Sequence, residues 1–204
     1  DFAPDLAQLD AFVQSMVIGK GVARELAGQR YADAKAQTEV IRYVPASAPK
    51  EIQSGSCFAN SLAAQRADTW RCMVDNMLYD PCFTAKGGKI VCGVDPRWPG
   101  SGFTLRLTKR LPKADIPAAV KAAAARSGWR FELTDGTLCS PMTGATGLVG
   151  DDRINYGCTG GFVIAGDPVT GPTWTAVKIV IASEGEGKFK AAESYPVVIK
   201  TVWQ

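Results

Sequence analysis

Six cysteines, at Cys57, Cys72, Cys82, Cys92, Cys139 and Cys158, are the side chains of this 204-residue sequence best suited to covalent or metal chemistry. Histidine is absent altogether. That removes Ser-His-Asp and Cys-His catalysis, HExxH metalloproteases and nearly every mononuclear zinc or copper enzyme, since each needs an imidazole as base or ligand. No two of the cysteines form a CxxC pair, the common opening of a zinc or iron–sulfur site. An even cysteine count without metal-ligand spacing points to three disulfides and an oxidising compartment. Sequence alone leaves the pairing open among many combinations, and local hairpins favour one of them. Cys82 and Cys92 flank a Gly87-Gly88 turn, Cys139 and Cys158 a glycine-rich connection, and Cys57 and Cys72 a polar loop. The expected set is therefore 57–72, 82–92 and 139–158.

Without histidine, the mainstream acid–base device that remains is a pair of carboxylates, as in glycoside hydrolysis. Asp151-Asp152 sits in a loop with Gly144, Gly147 and Gly150. Neighbours on extended chain point to opposite sides, so these two read as solvated residues at a hairpin tip. Glu132, beside Arg130, reads as half of a cross-strand ion pair. The glycine spacing from Thr143 to Gly150 lacks the following helix that a phosphate loop requires. Ser56, Ser61, Ser101 and Ser140 have no base, and cysteines held in disulfides cannot act as thiolates. No catalytic residue, metal ligand or cofactor is expected.

Contact chemistry is more legible. Trp98 lies in Asp95-Pro96-Arg97-Trp98-Pro99-Gly100, a turn-rich stretch that should be exposed and could anchor a partner. Arg106, Lys109, Arg110 and Lys113 cluster along one strand-like run and its exit. They suit weak contact with an anionic envelope polymer, although lysines that guard a sheet edge would look the same.

These residues must be positioned by ordinary globular elements. The sequence is 46% hydrophobic and 21% charged, with a net charge of +3 that is too mild for a nucleic-acid binder. No apolar run approaches the roughly 20 residues of a spanning helix. Residues 1–53 carry no cysteine and form one segment. In it Leu6, Leu9, Phe12, Val13, Met16 and Val17 recur at helical spacing, and a weaker alanine-rich stretch occupies residues 23–36. This N-terminal helical segment is the expected docking arm, for a protein partner or for self-association. Pro45-Ala46-Ser47-Ala48-Pro49 reads as the linker behind it. Residues 54–204 form a disulfide-braced, β-rich domain with alternating runs at residues 103–108, 129–134, 153–156, 177–181 and 197–203. One alanine-rich helix, residues 114–127, interrupts them. The expected class is α+β: an antiparallel sheet with that helix, preceded by the N-terminal helical segment.

The pattern from Gly55-Ser56-Cys57-Phe58, through Trp70-Arg71-Cys72-Met73 and Tyr79-Asp80-Pro81-Cys82-Phe83, to Asp135-Gly136-Thr137-Leu138-Cys139, Arg153-Ile154-Asn155-Tyr156-Gly157-Cys158 and Pro172-Thr173-Trp174-Thr175 resembles a family of uncharacterised secreted or envelope-associated proteins of actinobacterial type. The resemblance covers about residues 54–204. It implies export and disulfides, and it brings no activity and no catalytic residue. A start at Asp1 without a methionine fits removal of a signal peptide, and no N-x-Ser/Thr glycosylation signal occurs. The expected function is that of a non-enzymatic secreted or periplasmic binding or accessory protein of the bacterial envelope, on its own or as a subunit of an envelope-associated assembly. The alternative is an exported glycan hydrolase that works through carboxylates.

Overall fold

A computed structural model describes residues 37–114, 116–117, 127–185 and 188–204. They form thirteen strands: β1 (Glu39–Ile41), β2 (Ile52–Asn60), β3 (Thr69–Val74), β4 (Met77–Thr84), β5 (Ile90–Cys92), β6 (Phe103–Leu107), β7 (Arg130–Leu133), β8 (Leu138–Pro141), β9 (Leu148–Val149), β10 (Asp152–Cys158), β11 (Phe162–Ala165), β12 (Trp174–Gly185) and β13 (Lys188–Trp203). The chain divides into two compact units, one comprising Glu39–Phe131 and Thr201–Gln204, the other containing Thr38 and Glu132–Lys200.

In the first unit, strands β2-β3-β4-β5-β6 close into a barrel. Neighbours in sequence pair antiparallel, and β2 pairs parallel with β6 to complete the ring. The two-residue side-chain period sets what faces inward. On β3, Trp70, Cys72 and Val74 are buried, while Met73 is exposed. On β6, Phe103 and Leu105 are buried and Arg106 is exposed. The core gathers Cys57, Trp70, Cys72, Cys82, Ile90, Cys92, Phe103 and Leu105. Gly102 allows the approach into β6: its φ is +81°, and a Cβ there would stand 2.2 Å from the Cys92 carbonyl oxygen. β1 pairs in parallel with residues 201–203. Arg66 locks that pairing, because its Nη1 donates to the carbonyls of Tyr43 (2.9 Å) and Gln204 (2.6 Å). Its Nε and Nη2 grip Asp68 in a bidentate pair. The proline-flanked stretch is packed: Pro45 is buried, and the Pro49 carbonyl accepts a hydrogen bond from Thr104 Oγ1 at 2.7 Å.

In the second unit β12 and β13 form a long antiparallel ladder, continued through β11, β10 and β8 to β7. A further pairing of β7 with β13 joins the two ends of that path. Val149, Ile154, Val163 and Ile179 form a core within this unit. Lys178, next to Ile179 on β12, is also buried, its Nζ 4.3 Å from the centre of the Phe162 ring and hydrogen-bonded to Asp135.

The α+β expectation is overturned. The structure is nearly all β, 54% strand and 2% helical, with no helix of seven or more residues among those described. The single 3-10 turn, Thr159–Gly161, is the helical element present among them. The helical periodicity of Leu6, Leu9, Phe12, Val13, Met16 and Val17 falls outside the described residues, as does most of the alanine-rich run 114–127. The physical reason lies in closure. A sheet that curls into a ring supplies the second layer for its own apolar face, so no helix is required to cover it. Short-range helix propensity is by comparison a weak term. The docking role expected of an N-terminal helix loses its support in the same way. No helix among the described residues is long and apolar enough to cross a membrane.

Candidate functional site

All six cysteines are bridged in the expected set: Cys57–Cys72, Cys82–Cys92 and Cys139–Cys158. Two bridges join residues directly opposite in register, Cys57 with Cys72 and Cys139 with Cys158. The third is brought together by the Gly87-Gly88 turn, whose glycines have φ of +85° and +76° and which sets Phe83 against Val91 one step inside the bridge. The sulfurs of Cys72, Cys82 and Cys92 lie within 4.8 Å of one another, fully buried. Bonded as disulfides, they have no thiolate to offer a metal.

The carboxylates show how the chain disposes of its charge. Burial pushes the Asp68 pKa up, yet the hydrogen bonds and charge of Arg66, with Arg42 further off, hold it below its ordinary value. Asp95 is held low first by the Arg97 hydrogen bonds, against some desolvation, with Arg130 adding its charge from 3.6 Å. Glu132 on β7 forms the expected cross-strand ion pair, with Lys200 of β13 at 3.0 Å. Asp151 is exposed, in the turn between β9 and β10, and a strand rather than a helix follows its glycine-rich loop. Tyr43 is raised by burial and by the nearby Asp95 charge.

Asp135 gives a pH prediction within the second unit. Desolvation raises its pKa, but hydrogen bonds from Lys178 and Thr137 and the Lys178 charge outweigh it and hold the group at about 2, against an ordinary 3.8. A pKa depressed on folding contributes stability above the unfolded value and loses it as pH falls through the folded value. The window is therefore about pH 4 down to pH 2. The shift corresponds to about 2 kcal/mol at full strength. The Asp135 side chain is 44% exposed, so solvent screening reduces the expected loss to about 1 kcal/mol. Urea midpoints measured from pH 5 to pH 2 should fall less steeply in Lys178→Met than in the parent. An equal slope in both would refute the pairing as the cause.

The residues expected to make contacts are placed as follows. Trp98 is 65% exposed in the loop between β5 and β6. Arg106 projects from β6, and Lys109, Arg110 and Lys113 follow it, all exposed. Every other described arginine has a partner: Arg42 and Arg66 with Asp68, Arg71 with Asp80, Arg97 and Arg130 with Asp95, and Arg153 with Asn155. Leu6, Leu9, Phe12, Val13 and Met16 lie outside the described residues.

Sequence reasoning missed a cleft of about 190 Å³ in the first unit. Tyr43, Val44 and Pro45 line it together with Val94, Pro96 and Pro99. No local signal marks it, because its two walls are about fifty residues apart and one was read as linker. No protein-family model, no curated protein and no solved structure matches this chain.

Proposed function

We propose that the protein is an exported, disulfide-braced binding or accessory protein that holds an anionic polymer of the cell envelope against residues 106–113. Three disulfides, and the resemblance of residues 54–204 to secreted and envelope-associated proteins, support the extracytoplasmic setting. The observation that carries the binding role is the state of the basic run. Arg106, Lys109, Arg110 and Lys113 are exposed and have no ion pair among the described residues, while the other described arginines are engaged. Guarding a sheet edge does not account for Arg106, the member of the run that lies on a strand. β6 is hydrogen-bonded on both sides, to β5 and to β2, and so presents no free edge. Four cations within eight residues lie within at most about 25 Å of one another along the chain, which suits a polymer with repeating phosphates or carboxylates.

A carboxylate-dependent hydrolase needs one carboxyl held protonated beside another that is ionised. The carboxylates displaced among the described residues, Asp68, Asp95 and Asp135, are all held ionised, which favours binding over hydrolysis. The test uses fluorescein-labelled polyphosphate and polygalacturonate, read by anisotropy at rising salt. Binding at low salt should weaken steeply with ionic strength. It should fall by about tenfold or more in Arg106→Glu/Arg110→Glu at an unchanged melting temperature. No binding of either polymer, or binding indifferent to the double variant, overturns the proposal.

A further inference from the structure

We infer a membrane-docking face in the first unit: the outer side of β2, β3 and β4, with the cations beside it, lies against an anionic lipid surface. The two-residue period places the apolar side chains. On β3, Cys72 and Val74 are buried, so Met73 between them points outward, and it is exposed. Its register partner on β4 is Leu78, also exposed, and on β2 it is Ser56. Phe58 follows two residues along β2 and is 53% exposed. Its ring lies 6.0 Å from the guanidinium carbon of Arg71, which stands two residues from Met73 and so on the same side of β3. Met77, at the end of the β3–β4 hairpin, is 63% exposed. The barrel interior is filled without any of these four. Large apolar side chains gathered outside a complete core mark a contact surface.

Charge identifies the occupant. β2 has the apolar row on one flank and the basic run on the other. β6 pairs in parallel with β2, Arg106 opposite Ser54, and Ser54 is one two-residue step from Ser56, the partner of Met73. Strand spacing puts the Cα atoms of Arg106 and Met73 roughly 12 Å apart. Thr108 keeps the run against β2, its amide and its Oγ1 both donating to the Gly55 carbonyl, at 2.8 and 3.0 Å. The acid on the face itself, Asp80, is buried and engaged by Arg71 at 3.6 Å and by Ser61. The β3–β4 turn adds one exposed acid, Asp75, against the four exposed cations of the run. The outside of a closed barrel is convex, and two of its apolar groups are methionines, whose unbranched chains adapt to their surroundings. Such a face suits a fluid bilayer, whose phosphates attract the cations while its interface accepts the apolar side chains.

This inference rests on the same unpaired cations as the polymer reading and adds the apolar row to them, so the two can fail separately. The test is co-sedimentation of the full chain with vesicles of phosphatidylglycerol and phosphatidylcholine in equal parts, and with vesicles of phosphatidylcholine alone. The anionic vesicles should bind at least about tenfold more tightly. Met73→Thr/Leu78→Thr, both exposed positions, should weaken that binding by about fivefold or more at an unchanged melting temperature and with polyphosphate affinity intact. Met73→Leu should bind as the parent does. Arg106→Glu/Arg110→Glu should weaken vesicles and polyphosphate alike. Equal sedimentation of the threonine variant refutes the apolar row, and equal affinity for the two vesicle types refutes the choice of an anionic surface. A concentration-dependent dimer that the threonine variant abolishes, with no vesicle binding by the parent, assigns the face to a second copy and overturns the lipid. Absence of vesicle binding beside intact polyphosphate binding overturns this inference alone. Vesicle binding without affinity for either soluble polymer upholds it and overturns the polymer.

Discussion

Phe83→Ala should destabilise the unit built from Glu39–Phe131 and Thr201–Gln204 by about 3–5 kcal/mol, the range for removing a buried phenylalanine. Phe83 is fully buried on β4, paired in register with Thr69 on one side and Val91 on the other. Its ring supports three groups at once: Tyr43 at 5.0 Å, Trp129 at 5.1 Å and the Arg66 guanidinium at 5.5 Å. The methyl of alanine leaves all three facing a void, and packed interiors relax only partly around such a hole. Arg66 in turn holds the Tyr43 and Gln204 carbonyls, so the damage reaches the pairing of β1 with residues 201–203. Thermal melting should show a fall of at least about 10 °C for a unit of this size. Phe83→Leu, which keeps much of the volume, should cost about 1–2 kcal/mol. A melt shifted by less than about 2 °C would show that the cluster relaxes around the loss.

The strands were legible wherever alternation meets a half-buried sheet. Phe103, Leu105 and Leu107 on β6, Phe131 and Leu133 on β7, and Ile154 and Tyr156 on β10 all lie on strands that the two-residue period marks. Disulfide pairing was legible because each bridge closes a local hairpin, where turn chemistry and cysteine spacing carry the same message. The helical half of the expected class had a different basis, alanine content and helical spacing without any knowledge of what would cover those faces. The closing contacts, β2 with β6 and β7 with β13, join strands about fifty or more residues apart. Nothing local encodes such pairings, and they decide whether a sheet needs a helix layer. The cleft was hidden for the same reason. Tyr43 and Pro45 face the 94–101 loop in a unit where β1 is held by residues 201–203, and a stretch read from composition alone as linker became a wall. Trp98 could be singled out from its turn-rich surroundings, whereas the role of Arg130 beside Asp95 depends on proximity that sequence distance conceals.

Reduction of the three bridges should produce the largest change in stability of all, and it should be unequal between the two units. The cysteines are 15, 10 and 19 residues apart in the bridged pairs. In the chain-entropy account each such loop contributes about 3 kcal/mol. The three loops follow one another along the chain and neither nest nor overlap, so their effects on the unfolded state add, to about 9 kcal/mol in total. That rivals the whole stability of an ordinary domain, on the order of 5–15 kcal/mol. Two of the bridges, Cys57–Cys72 and Cys82–Cys92, belong to the first unit and one, Cys139–Cys158, to the second. The first unit therefore loses about 6 kcal/mol and the second about 3. Since Cys72, Cys82 and Cys92 are fully buried, reductant must wait for the barrel to open, and mild denaturant should accelerate the reaction. Hydrogen exchange read by mass spectrometry once all three bridges are fully reduced should show residues 52–107 losing protection while residues 148–199 retain it. Because residues 106–113 lie in the first unit, binding of polyphosphate should disappear at that stage. Loss of protection in the opposite order, or simultaneously, would mean that the bridges do not set the relative stability of the two units.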